Sequence, residues 1–360
     1  MLLLPGLVAT AVPLCFLYLV RRLDLYASGS FQAVVLSFLW GGMAFVLSFF
    51  INNAVLAYVS YTTLVVFTAP IVEEILKSLI LGYHVQQSDF TYFVDGAIYG
   101  FAAGTAFAVF ENMLYLSNGA GGTASLTLAI SRAFSVSLMH GTSSALVGIA
   151  LGRFRFGRGI TKVAALLAGW LVAIGFHMLF NYVVTFWQGD TLLITAVSLG
   201  LGGVITTVLF ILWGLSEERR WLRETLDAQM GVSAGEAAVI QNMASLNRLL
   251  APIADRFGDE KRQQAETFLR LQAQLGLKQK AHELTQEPAL KAQLAKQVAA
   301  LRDKMEATRQ EVGVYCMVYI RSIMPPATEP MWDKLAASID EQPQKPAMNL
   351  WQNLGQKVES

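Results

Sequence analysis

The chain has 360 residues, 54% of them hydrophobic and 15% charged, with a formal net charge of +1. That total averages two unlike parts: apolar stretches fill the chain up to residue 215, and a segment rich in Lys, Arg, Glu and Gln follows. The first part excludes an ordinary water-soluble globule. The cysteines, Cys15 and Cys316, fall one on each side of the division and exclude a disulfide framework.

A run of about 18 or more apolar residues reaches across the hydrocarbon core as a helix. Residues 2–20, 31–51 and 191–215 meet this without a charge, and 54–83, 94–116, 126–152 and 163–187 meet it with a few polar residues. The sequence therefore predicts an all-α fold, a polytopic bundle of seven transmembrane helices over 1–215. The first run has no basic residue before it, and Arg21 and Arg22 come after. That order reads as a retained helix, not a cleaved signal.

Lys and Arg accumulate in cytoplasmic loops. Arg21 and Arg22 follow the first span; Arg153, Arg155, Arg158 and Lys162 follow the fifth; Arg219, Arg220 and Arg223 follow the seventh. The alternate loops near 52–53, 117–125 and 188–190 carry none. This asymmetry places the N-terminus outside and the C-terminus in the cytoplasm.

Ionisable residues inside a span are costly and mark function by default. In the third span, APIVEEILKSLILGY holds Pro70, Glu73, Glu74 and Lys77. Proline removes a helical hydrogen bond and opens backbone just before the glutamates. Lys77 is three and four residues from the two glutamates and can pair with either. In the fourth span, Gly96, Gly100 and Gly104 form a close-packing stripe. Glu111 and Tyr115 of FENMLY lie beyond it on nearly the same face. In the fifth, Ala133, Ser137, His140, Ser144 and Gly148 share a face, with Arg132 about two turns before His140. In the sixth, His177 and Asn181 stack one turn apart.

Each cluster alone reads at least as well as a structural feature (an ion pair, close packing or interhelical hydrogen bonding) as it does as part of a functional site. Counted from the cytoplasmic helix ends, the four groups fall in one band, roughly 15–25 Å deep. A shared depth predicts one polar site built by the third to sixth spans. Carboxylates with histidines support general acid–base hydrolysis, because a carboxylate removed from bulk water is a better proton acceptor. Asn and His hydrogens can meet a developing oxyanion. The same groups could hold zinc with Glu111, His140 and His177 as ligands, although HExxH is absent from the sequence. Our expectation commits to no cofactor and keeps zinc as the alternative. Two other readings share these residues: a catalytically silent scaffold or receptor, and a proton-coupled transporter.

EEILK (Glu73–Lys77), FENMLY (Phe110–Tyr115), His140 and HMLFN (His177–Asn181) resemble, in order and on successive helices, the motifs of the PrsW family of intramembrane proteases, relatives of the CAAX prenyl endopeptidases. The resemblance implies a bacterial or archaeal plasma (inner) membrane protease that cleaves a membrane-anchored substrate such as an anti-sigma factor. It implies that Glu73 or Glu74 activates water with His140, that His177 and Asn181 polarise the scissile carbonyl, that Glu111 belongs to the same site, and that Lys77 and Tyr115 support it.

Residues 216–325 read as a cytoplasmic helical domain, and 326–360, with Pro330, Pro343 and Pro346, as a loosely structured tail. Ser233 and Glu236 form a capping-box signature. Residues 259–281 are charged and amphipathic. Leu290, Leu294, Val298, Leu301, Met305, Thr308, Val312 and Tyr315 recur in steps of three or four, a coiled-coil-like seam expected to end at Pro325-Pro326. Such a seam closes a small bundle or docks a second copy or protein partner. Its charges alternate in sign and form no basic patch, which argues against nucleic acid as a partner.

Overall fold

The computed structural model describes residues 3–26, 29–118, 123–226, 232–243 and 246–324, and they are helical almost throughout. The membrane part comprises α1 (Leu3–Arg22), α2 (Phe31–Val55), α3 (61–84), α4 (Phe93–Asn118), α5 (Thr123–Phe134), α6 (Val136–Arg153), α7 (Gly159–Phe186) and α8 (Gly189–Thr225). Six helical runs are long and apolar enough to cross a membrane, with α5 and α6 forming one run bent at Ser135. The seventh expected span is α3, whose glutamates and lysine set it apart from the other six.

The centre of the bundle is α4 against α6. Gly96, Gly100 and Gly104 face Gly148, Ser144 and His140, so closely that a Cβ at any of the three glycines would collide with the opposing carbonyl oxygen. Small residues permit such backbone approach where lipid offers no hydrophobic drive for association. The stripe read from the sequence thus fixes where His140 stands. Around this pair, α2, α3, α7 and α8 turn Leu, Ile, Phe and Val side chains outward, as a lipid-facing surface requires.

Helix α3 is irregular where proline predicts it. Its first turn, Tyr61–Thr63, passes into a π-helical segment, Leu64–Thr68, before the regular helix Ala69–His84. Pro70 has no N–H to give, so a carbonyl in the preceding turn is left without its helical donor. Asn181 of α7 donates its Nδ2–H to Val65 O at 2.8 Å, which satisfies an acceptor in that irregular turn.

Helix α8 runs through the 215/216 division without a break, so membrane core and tail share one helix. The tail continues as α9 (Ala234–Gln241), α10 (Leu246–Phe257), α11 (Asp259–Leu284), α12 (Pro288–Val312) and α13 (Val314–Ile323). Ser233 and Glu236 form the expected capping box. The seam holds from Leu290 to Val312 but stops earlier than expected. Gly313 adopts φ +84°, a left-handed conformation that ends α12, and α13 begins anew, leaving Tyr315 exposed. Periodicity alone could not see this stop, because Tyr315 keeps the step of three while the glycine between breaks the helix. The expected loose tail over 326–360 lies outside the described residues.

The seam packs against α11, and the resulting bundle docks on the cytoplasmic-type loops of its own membrane core. Lys278 Nζ donates to Ser88 O at 2.7 Å and Asp89 O at 3.1 Å, and Gln297 Nε2 donates to Asp89 Oδ1 at 2.6 Å. Arg270 donates to Leu25 O at 3.1 Å, and Lys280 pairs with Glu224 at 2.8 Å. Burial pulls the Lys278 ammonium from the ordinary 10.5 to about 8. Arg155, counted above as a loop charge, is in fact buried; it donates to Gln87 O at 2.7 Å and Thr91 O at 3.3 Å, and burial lowers it to about 10. The loop at 85–92, which holds no Lys or Arg, is therefore the joint between core and tail.

Candidate active site

Helices α3, α4, α6 and α7 bring all the expected site residues together. Glu74 and Lys77, one turn apart, are both 0% exposed and pair at 2.6 Å. Lys77 Nζ also lies 2.9 Å from His140 Nδ1, and its ammonium sits 4.7 Å from the Phe107 ring centroid. His177 Nδ1 lies 2.8 Å from the same Glu74 oxygen, Oε1. One carboxylate oxygen and one ammonium thus link α3 to both catalytic-candidate histidines. Such a buried pair is kept because each charge has several partners.

Glu73 points elsewhere, as neighbours on a helix must. Its Oε1 accepts from Asn52 Nδ2 at 3.2 Å, and its Oε2 stands 3.8 Å from His177 Nε2. That is too long for a direct hydrogen bond and suits a shared water. The rings of His140 and His177 meet edge to face with centroids 4.8 Å apart.

Glu111 Oε2 receives two partners, Arg132 Nη2 at 2.8 Å and His140 Nε2 at 3.1 Å. Arg132 Nε donates to Asn112 Oδ1 at 2.8 Å, and Asn112 Nδ2 donates to Ser137 Oγ at 2.9 Å. Tyr115 supports the guanidinium from below, its ring centroid 3.8 Å from Arg132 Cζ. Arg132 is held in place by the bend at Ser135, which lets α5 lean over the site while α6 continues behind it.

These groups line a cavity of about 210 Å³. Glu73, Glu111, His140 and His177 form its polar wall, and Leu64, Val65, Val136 and Phe180 its apolar wall. Tyr61, Tyr115 and Thr185 stand at its rim, at the helix ends remote from the tail. Glu74 and Lys77 are behind the wall and do not line it. Asn181 lines the cavity, with one of its two amide N–H bonds given to Val65.

Sequence reading missed Asn52, Asn112 and the full role of Arg132. Asn112 lies inside FENMLY, and Arg132 was visible two turns before His140. Asn52 had a weaker signal: an amide at the end of an otherwise apolar span.

Glu73, His140 and His177 each offer one donor atom, all within 4.8 Å of one another. Two imidazoles and a carboxylate are a donor set that suits zinc. Glu74 on His177 Nδ1 supplies the outer carboxylate that typically orients a ligating imidazole and leaves Nε2 free. The residues present therefore fit a divalent metal. The close set contains Glu73, where the expectation named Glu111; Glu111 Oε2 meets Arg132 and His140, and His140 has Lys77 at Nδ1 and Glu111 at Nε2, so a metal on His140 would displace one of these contacts.

A helical membrane bundle whose only deeply buried acidic–histidine cluster, among the described residues, opens into a cavity within the span has the make-up of an intramembrane peptidase. Residues 29–214, more than half of the chain, match the sequence model of the PrsW family intramembrane metalloproteases, and the chain belongs to that family. No curated protein and no solved structure matches it.

Proposed function

We propose that the chain hydrolyses a peptide bond of a membrane-anchored protein, an anti-sigma factor being the type of substrate the family resemblance suggests. Glu73 is the residue that faces the attacking water. The observation that carries this is the 3.8 Å gap between Glu73 Oε2 and His177 Nε2 at the cavity wall. Glu74, by contrast, is engaged by Lys77 and His177 behind that wall. With Nδ1–H of His177 directed to Glu74, its Nε2 is left as an acceptor. A water between the two groups donates one hydrogen to each and turns a lone pair to the cavity. As that oxygen bonds to the scissile carbonyl carbon, Glu73 takes the proton; Glu73 then passes it to the amine nitrogen as the C–N bond breaks, which returns Glu73 to its ionised form.

His140 stands over the same space, oriented by Lys77 on one nitrogen and Glu111 on the other. In this reading Glu111 and Arg132 position His140. Asn181 holds the π-turn open and so shapes the apolar wall. The cavity rim lies at the ends of α3, α4 and α7 whose loops lack Lys and Arg, so the N-out orientation places cleavage toward the outer face of the inner membrane.

A second reading is favoured by the close donor set and by the family's description as metalloproteases. In it Glu73, His140 and His177 hold a divalent metal, which would activate water and polarise the carbonyl. Metal analysis of the purified wild type beside His140→Ala and His177→Ala separates the two. Stoichiometric metal lost with either histidine supports the second reading. Metal-free protein with full activity supports the first. Either reading fails if Glu73→Gln cleaves a membrane reporter as fast as wild type.

A further inference from the structure

At the cavity wall one acceptor has no partner among the described residues. Asn52 sits three residues from the end of α2, a helix with no ionisable side chain. Its Nδ2 donates to Glu73 Oε1 at 3.2 Å. With Glu73 ionised, as its role as the base requires, its oxygens only accept, so the amide turns its nitrogen to Glu73 and its oxygen away. That oxygen, Oδ1, is buried and has no hydrogen-bond partner among the described residues, and Asn52 lines the cavity. A buried amide carbonyl left without a donor is destabilising, and such a group calls for an explanation.

The substrate supplies the missing donor. A peptide cleaved inside a membrane must be locally unwound, which frees backbone N–H groups that have no water to turn to. Each freed N–H needs an acceptor from the enzyme. Among the cavity's polar side chains, Oε2 of Glu111 already holds Arg132 and His140, Oε1 of Glu73 holds Asn52 itself, and Oε2 of Glu73 faces the attacking water, while Asn181 keeps its own oxygen on the α7 side of the cavity. Glu74 Oε2 is also unpartnered but lies behind the wall. We propose that Asn52 is a substrate-binding residue: its Oδ1 accepts a backbone N–H of the extended substrate beside the scissile bond, while its Nδ2 holds Glu73. One side chain then clamps the peptide and the carboxylate in a common register. The proposal rests on the protease reading and extends it to a residue outside every motif named above.

The test uses full-length enzyme in proteoliposomes and a membrane reporter peptide whose cleaved bond is located by mass spectrometry. Peptide amides flanking that bond are replaced one at a time by esters, which removes a single N–H. One replacement should raise KM of the wild type about tenfold, the size of one hydrogen bond. Asn52→Leu keeps the shape without polar atoms and is easily accommodated in lipid; Asn52→Ala is the second variant. In both, the sensitive ester and its parent amide should be bound equally well, because the partner is gone. Equal loss on ester replacement in wild type and variants would overturn the proposal, as would the absence of any sensitive position in the wild type. Failure of the Glu73 assignment looks different: Glu73→Gln would then cleave at the wild-type rate, whatever the esters do.

Discussion

His177 is held between two adjacent glutamates, with Nδ1 2.8 Å from Glu74 Oε1 and Nε2 3.8 Å from Glu73 Oε2. The pair divides the labour of the EE motif. Residues one apart on a helix diverge by about 100°, so one carboxylate is directed into the protein and its neighbour into the cavity. Glu74 with Lys77 is the buried scaffold; Glu73 is the exposed face of the same turn.

Breaking the scaffold should cost stability as well as activity. Glu74→Ala leaves the Lys77 ammonium buried without its carboxylate, a loss of about 3–5 kcal/mol. Thermal unfolding in detergent should show a markedly lower melting temperature for this variant. The double variant Glu74→Leu/Lys77→Met should recover most of the stability and none of the cleavage.

Arg132 should behave as a positioning residue. Arg132→Met removes the cation paired with Glu111 and the donor to Asn112, so Glu111 is no longer fixed against His140 Nε2. Cleavage should fall about 10- to 100-fold, as for residues that orient an active-site histidine. The loss should appear in kcat, with KM changed little. Arg132→Lys, which keeps the charge but not the forked geometry, should recover part of it.

The α4–α6 contact should tolerate no added carbon at its centre. Gly104→Ala drives a methyl into the His140 carbonyl and should destabilise the bundle by about 1–3 kcal/mol. Gly202 has open space around its Cβ position, so Gly202→Ala should be neutral in the same unfolding assay.

Docking of the tail should strengthen with alkaline pH. The Lys278 ammonium titrates at about 8 when docked and at the ordinary 10.5 when free. Between those values the undocked state binds more protons, so stability rises with pH across that window, and the full cost of burying the charge is present below it. Asp89, Asp95 and Arg155 are the charges that act on it. Melting temperature measured from pH 7.5 to 10 should rise in the wild type relative to Lys278→Met, which lacks the titration.

Much of this was legible in the sequence because membranes simplify the problem. Apolar run length gave six of the seven expected spans, and intramembrane charge marked Glu73, Glu74, Lys77, Glu111 and the histidines. The glycine stripe foretold a close helix–helix contact, though not that its partner is α6. Three things were not legible. Which glutamate faces the cavity depends on the rotation of α3 against α7, which adjacent residues cannot reveal. Asn52 and Asn181 are neutral amides, and their meaning lies in what stands opposite, Glu73 and the π-turn carbonyl of Val65. The docking of Lys278 and Gln297 on Ser88 and Asp89 joins segments some two hundred residues apart, and no periodicity carries such a contact.

The assignment of Glu73 is tested most directly by single-turnover cleavage of a membrane reporter in proteoliposomes, comparing wild type with Glu73→Gln while unfolding is followed on the same samples. The account predicts that Glu73→Gln abolishes cleavage, by about a thousandfold or more, with the melting temperature of wild type. Wild-type cleavage by Glu73→Gln, or a loss seen only alongside a collapse in its melting temperature, would contradict it.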